Sequence, residues 1–178
     1  MTATMPEPIL WLVFGLVLIF GGTAFLGAPY VPSRRRDVKR AFDKLYRLKA
    51  DDLLVDIGSG DGVVLRQAAN AQAKAVGYEI NPVLVIISRW LSRKHRNVKV
   101  CLANFWHSQL PDETTVVYLF GDGRDIKRMD IWLQKQTDKL ARPLMVISYG
   151  FSLPARQVLR QEGAHYLYQI NPLHPREP

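Results

Sequence analysis

From Leu53 onward, short and almost continuously apolar runs alternate with longer stretches of helical periodicity, which restricts the chain to very few folds. The β-rich runs are residues 53–57, 75–79, 98–102, 116–120 and 144–149, with a weaker one at 166–170. Helical patterns fill 63–72, 82–94, 129–140 and 154–161. A strand that is apolar along its whole length is covered on both faces, as in a parallel sheet whose crossovers are helices. The pattern predicts a doubly wound α/β domain over residues 51–171, with ligands at the carboxyl ends of the strands. Beyond the fifth strand there is room for little more than one further strand, and the Pro-rich residues 172–178 read as a loose tail. One cysteine, Cys101, excludes a disulfide framework and a Cys-based zinc site, and its mid-strand position reads as core. His95, His107, His165 and His174 share no ligand spacing, so no metal is expected.

The chain ahead of the domain is of a different kind. Pro8 to Ser33 are 26 residues without a charge, and residues 9–28 are almost wholly apolar. Twenty helical residues at about 1.5 Å each span roughly 30 Å, the thickness of a bilayer's hydrocarbon core. Trp11 and Tyr30 are placed for the two interfaces. A cleaved signal peptide fits poorly, since no Lys or Arg precedes the apolar run. A buried helix fits poorly too, because one apolar all round is rare in so small a soluble domain. Residues 1–8 are thus read as a short tail, 9–28 as a single transmembrane helix, and 29–50 as a linker and basic juxtamembrane helix.

That last segment carries Arg34, Arg35, Arg36, Lys39, Arg40, Lys44, Arg47 and Lys49 against Asp37 and Asp43. Basic residues next to a span stay on the cytoplasmic side, which places the amino terminus outside and the domain inside. They also suit anionic headgroups, while Val38, Ala41, Phe42, Leu45 and Leu48 form an apolar stripe for the domain. The net charge of +8 admits a nucleic-acid arm, but the position beside the span favours lipid.

Asp56-Ile57-Gly58-Ser59-Gly60-Asp61-Gly62 closes the first strand. Its alternate glycines permit a sharp turn and close backbone approach to a ligand. A dinucleotide fingerprint places its third glycine where Val63 stands, and a P-loop needs a Lys-Ser/Thr pair that is missing. What distinguishes the turn is acid: Asp56, Asp61, and Glu79 at the end of the second strand. Three carboxylates repel a pyrophosphate and suit a cationic ligand with an amino group and a ribose. S-adenosylmethionine has both, with a sulfonium besides. Glu79, 21 residues past Gly58, stands where a ribose-binding acid belongs. Asn104-Phe105-Trp106, after the third strand, offers an amide for the adenine edge and aromatic faces for stacking.

The motifs PYVPS (29–33), VDIGSGDG (55–62), GYEINP (77–82) and NFW (104–106) resemble those of class I methyltransferases, whose sheet is Rossmann-like. More narrowly, the chain resembles the membrane-anchored lysine methyltransferases of the ATP synthase c-subunit and adenine nucleotide translocase, with their prokaryotic relatives. The resemblance runs over about residues 29–150. It implies cofactor contacts from Asp56, Gly58, Gly60, Asp61, Glu79 and Asn104, with Ser59, Gly62, Ile80 and Phe105 completing the lining. Many members carry an Arg after the Asp-Gly pair, where this chain has Val63.

Tyr30, Phe105, Trp106, Asp122, Asp125 and Tyr149 lie near strand ends or at the entry to the fold, and are candidates to line an acceptor pocket. No Asp/Asn-Pro-Pro-Tyr/Phe element follows the fourth strand, where Phe120-Gly121-Asp122-Gly123 stands, so amino-methylation in that style is disfavoured. Only five residues separate Ala28 from Arg34, at most about 18 Å of chain, so the active site is expected at the membrane surface. A lysine of a membrane protein is the leading substrate. A lipid headgroup or small membrane-soluble molecule, a non-catalytic scaffold and an RNA are the alternatives.

Overall fold

A computed structural model describes residues 6–15, 33–120 and 125–173. The chain divides into two compact units, residues 1–31 and 32–178. In the first, residues 7–15 are helical, and Trp11 meets Phe14 edge-on. No helix among the described residues is long and apolar enough to cross a membrane. Residues 16–28 of the expected span lie outside the described residues, as do Tyr30 and Asp122.

The second unit carries helices α1 (Arg35–Lys44), α2 (Val63–Asn70), α3 (Pro82–Leu91) and α4 (Ile126–Leu140). Its strands are β1 (Leu53–Ile57), β2 (Lys74–Glu79), β3 (Val98–Leu102), β4 (Val116–Phe120), β5 (Leu144–Tyr149), β6 (Arg160–Glu162) and β7 (His165–Ile170). The sheet order is β3-β2-β1-β4-β5-β7-β6. The first five strands are parallel, and β7 runs antiparallel to both β5 and β6. All five residues of β1 are buried, as a central strand covered on both faces requires. One face packs Val38 and Phe42 of α1, Val64 and Leu65 of α2 and Val85 of α3 on Leu54, Tyr118 and Ile147. The other packs Met129, Trp132 and Leu133 of α4 on Val55, Ile57, Val117 and Val146. Strand order reverses between β1 and β4, which opens a crevice at their carboxyl ends.

Local chemistry sets most boundaries. Asn81 caps α3, its Oδ1 accepting from the N–H groups of Val83 (2.9 Å) and Leu84 (3.4 Å), with Pro82 in the first turn. α2 stops at Asn70, short of the expected 72, because Gln72 turns left-handed (φ +68°). α3 likewise ends at Leu91 rather than 94, and α4 begins three residues before the expected 129. α1 buries Val38, Ala41 and Phe42, and Leu45 and Leu48 continue the buried stripe past its end. Cys101 is half-buried against the α4-side core.

The helix expected at 154–161 does not form. Val158 and Leu159 are exposed, the Leu159 N–H donates to the Leu167 carbonyl (2.8 Å), and β6 starts at Arg160. Gly163, with φ +58°, turns the chain into β7, so the apolar spacing that suggests a helix belongs to half a hairpin. Two strands therefore follow β5, where one was expected. Residues 171–173 are tied to α4: the Leu173 N–H donates to Asp138 Oδ1 (2.8 Å) and Gln134 to the Asn171 carbonyl (3.0 Å).

At one sheet edge, the Arg89 guanidinium donates through Nε (3.1 Å) and Nη2 (2.8 Å) to the Val100 carbonyl of β3. At the other edge stands β6, three residues long.

Candidate cofactor and active site

The turn after β1 is held by backbone bonds to the end of β2. The Gly58 and Ser59 N–H groups both donate to the Tyr78 carbonyl (2.9 and 3.0 Å). Glu79 is buried, and each of its carboxylate oxygens takes a backbone N–H, from Gly60 (2.8 Å) and from Asn81 (2.8 Å). Each oxygen keeps a second lone pair, so the carboxylate can still accept from two ribose hydroxyls. Ile80 lies between these anchors, half-buried.

Two glycines are required for different reasons. At Gly58 (φ +82°) an added Cβ meets nothing within 4 Å, so the backbone there borders open space that a ligand can fill. At Gly62 (φ +79°) it falls 2.2 Å from Ser88 Oγ, because α2 starts directly against α3.

Asp56 is 3% exposed, and among the described residues no donor reaches its carboxyl. Burial pushes its pKa well above the ordinary carboxylate range, and the neighbouring charges of Glu79 and Asp61 push the same way. Asp56 is thus a buried carboxylate with no cation beside it among the described residues, unlike Asp61, which Arg66 reaches. A ligand carrying positive charge relieves both the desolvation and the repulsion, which is the fit that the amino group and sulfonium of S-adenosylmethionine provide.

Asp61 is shared. Its Oδ1 accepts from the Val63 N–H (3.2 Å), while the buried Arg66 donates to its carbonyl and approaches Oδ2 (3.3 Å). Arg66, three residues past Val63, thus brings a guanidinium to Asp61. Nothing in the sequence announced this, because the contact depends on how the turn folds back on α2.

The end of β3 docks beside Glu79, the Ala103 N–H donating to the Glu79 carbonyl (2.9 Å). Asn104 uses its Oδ1 to cap the following turn at the Trp106 N–H (3.1 Å), which leaves its NH₂ to donate to a ligand. Phe105 stacks obliquely on Trp106 (4.5 Å between centroids) and meets Trp132 edge-on (5.6 Å). The Arg128 guanidinium lies 4.2 Å over the Trp106 ring. Trp106 is therefore fixed to α4. Asp125 is exposed at the start of α4 and makes no side-chain cap. Leu102, missed by the sequence reading, is the register partner of Glu79 and is exposed at the same strand ends.

Tyr149 belongs to a separate cluster. Its ring stacks on His165 (4.4 Å, 17°), and the Tyr118 hydroxyl lies 2.9 Å from His165 Nε2. Burial raises the Tyr118 pKa, with the Asp56 charge adding to it, and lowers that of His165. The Tyr118 hydroxyl and His165 Nε2 share one hydrogen bond, while the Glu162 backbone favours the charged ring. Asp37 and Glu162 oppose the shift without cancelling it. With the folded pKa depressed below the ordinary value of about 6.5, the histidine's contribution to stability is intact above that pH and is lost as pH falls through it. Thermal melts should show a midpoint that declines below about pH 6.5, and His165→Phe should flatten that decline. An unchanged slope would mean that another group dominates.

A five-stranded parallel sheet, an added antiparallel β-hairpin and an acid-lined glycine turn at the β1/β4 crevice define a class I S-adenosylmethionine-dependent methyltransferase domain. A family model described as "ANTKMT methyltransferase domain" matches residues 56–160. The chain belongs to that family. It is 34% identical over 129 residues to the ATP synthase c-subunit lysine N-methyltransferase of Rattus norvegicus, covering 71% of this chain and 57% of that protein. It thus spans little more than half the length of that relative. A protein-lysine N-methyltransferase of Saccharolobus islandicus is 28% identical over 158 residues, covering 80% of this chain and 93% of that one. Among solved structures, an RNA methyltransferase from Salinibacter ruber in complex with S-adenosyl-L-homocysteine superposes with a TM-score of 0.71 at 26% identity, covering 83% of this chain and 98% of that one.

Proposed function

We propose that the protein is an S-adenosylmethionine-dependent lysine methyltransferase that modifies a membrane protein at the bilayer surface. The observation that carries this reading is the family match over a site whose buried Asp56 has no cation beside it among the described residues; the lysine N-methyltransferase relatives support the acceptor. In this reading Asp56 takes the cofactor's positive amino group, Glu79 its ribose hydroxyls, Asn104 its adenine edge, and Gly58 leaves room for its backbone. Ser59, Gly60, Asp61, Gly62, Ile80 and Phe105 complete the lining. S-adenosylmethionine supplies an electrophilic methyl group on a sulfonium.

The chain's own residues must then exclude water and receive a neutral amine. Deprotonating lysine near pH 7.4 costs on the order of 4 kcal/mol, from a reference pKa of about 10.4. An apolar rim of Phe105 and Trp106 lowers that cost by disfavouring the ammonium form. Tyr30, Asp122 and Tyr149 remain proposed lining groups, and the first two lie outside the described residues.

Membrane attachment is part of the proposal. The support is the uncharged run from Pro8 to Ser33, read as a single span over residues 9–28 and followed by a basic segment. With that segment on the cytoplasmic side, the amino terminus is outside and the catalytic domain inside.

The test is radiolabel transfer. The full chain, and a Glu79→Gln control, are incubated with methyl-labelled S-adenosylmethionine and host membranes, and label is partitioned among protein, lipid and nucleic acid. Label is expected in a discrete protein band, recovered as methyl-lysine on hydrolysis and reduced at least about tenfold by the control. Label confined to the lipid phase would move the assignment to a headgroup or small-molecule acceptor. A second reading, RNA, is favoured by the similarity to the Salinibacter enzyme and by the net charge, and predicts label in nucleic acid instead.

A further inference from the structure

Helix α3 is apolar on both sides but is buried on only one. Leu84, Val85 and Ser88 face the sheet, whereas Ile86 (66% exposed), Ile87 (39%) and Trp90 (62%) form a stripe facing outward. A helix apolar all round belongs inside a core or against another apolar phase. The surroundings of the stripe are one-signed. From Ile80 to Pro111 there is no acidic residue, while Arg89, Arg93, Lys94, Arg96 and Lys99 are all exposed. The Arg93 guanidinium lies 4.5 Å over the Trp90 ring, and its Nη1 donates to the Trp90 carbonyl (2.8 Å).

We propose that the outer face of α3 seats on an anionic membrane surface, with Ile86, Ile87 and Trp90 in the headgroup–acyl boundary and the basic groups on phosphates. An amphipathic surface of this make-up has its tryptophan at the interface and its long cationic side chains reaching back to the headgroups. The charge argues for anionic lipid over a second copy of this chain, since two such faces would repel each other. The proposal goes beyond the lysine reading and is independent of it: the face docks whatever the acceptor is. It also differs from the amino-terminal run, because it concerns how the folded domain lies on the bilayer.

The experiment places an environment-sensitive nitrobenzoxadiazole probe at three points of the full chain in a Cys101→Ser background. Trp90→Cys and Ile86→Cys report the stripe, and Ile131→Cys, 58% exposed on α4, reports the opposite helical layer. Each protein is reconstituted in phosphatidylglycerol–phosphatidylcholine vesicles and in phosphatidylcholine vesicles. Probes at 90 and 86 should shift to the blue only with the anionic lipid, and the shift should be lost at high salt or with Arg93→Glu/Lys94→Glu. The probe at 131 should not respond. Equal shifts in phosphatidylcholine vesicles, insensitive to salt and to the charge reversals, would show that no anionic surface is read and overturn the proposal. So would no shift in any lipid, or equal shifts at all three positions.

Discussion

Replacing Asp56 with Asn should move cofactor affinity and apo stability in opposite directions. The carboxylate is buried, no donor among the described residues reaches it, and Glu79 and Asp61 repel it, so its ionised form is a burden until a cation arrives. The amide keeps the shape and removes the charge. The variant should therefore melt higher than the parent at neutral pH. It should bind S-adenosylmethionine more weakly by about 1.5–3 kcal/mol, roughly 10- to 150-fold, because a hydrogen bond to a charged partner is lost. The pH dependence has a definite sign. Because the folded apo pKa is raised, the folded chain holds this proton more tightly than the unfolded one. Parental stability is lowered as pH climbs from about 4 to the raised value, and cofactor binding releases a proton in that window. Calorimetry in buffers of different ionisation enthalpy reads the proton, and scanning fluorimetry reads the stability. Unchanged affinity in the Asn variant would place the cofactor's positive end elsewhere.

Gly62→Ala should be among the most disruptive single changes in the domain. Its left-handed backbone costs a side chain about 1–2 kcal/mol. The added methyl also sits 2.2 Å from Ser88 Oγ in a packed interface, where overpacking costs about 1–3 kcal/mol more. The sum, about 2–5 kcal/mol, corresponds to a fall of roughly 5–15 °C in Tm for a domain of this size. Ser88→Ala should restore part of it, since Ser88 Oγ has no hydrogen-bond partner to lose and its removal leaves a contact of 3.3 Å to Cβ. Gly58→Ala shares the backbone strain without the clash. It should lose only about 1–2 kcal/mol of stability while encroaching on the ligand's space. Equal melting losses at Gly58 and Gly62 would refute this account of the α2–α3 contact.

The parallel sheet was legible because β1, β4 and β5 are covered on both faces, and such strands cannot hide their composition. The turn was legible because its glycines and acids are contiguous, and Glu79 because strand ends in this fold fall at a regular spacing. The 154–161 segment misled because its apolar residues serve neither a core stripe nor a sheet face. Arg66 and Ser88 were invisible for another reason: each acts across a helix start, through contacts that only the packing of α2 on the turn and on α3 creates. The place of His165 was not legible either, because its partners Tyr118 and Tyr149 reach it across the sheet.

Both edges of the sheet are poor templates for another strand. At β3 the Arg89 guanidinium takes the outward Val100 carbonyl, and at the far side β6 offers three residues, two of them charged. For the proposed protein acceptor, these edges argue against recognition spread along a main chain added to the ladder. The presentation that fits the proposed function is end-on, from a tight bend or a terminus, into the crevice above β1 and β4. Selection among acceptors then rests on the shape of that protrusion rather than on a linear motif.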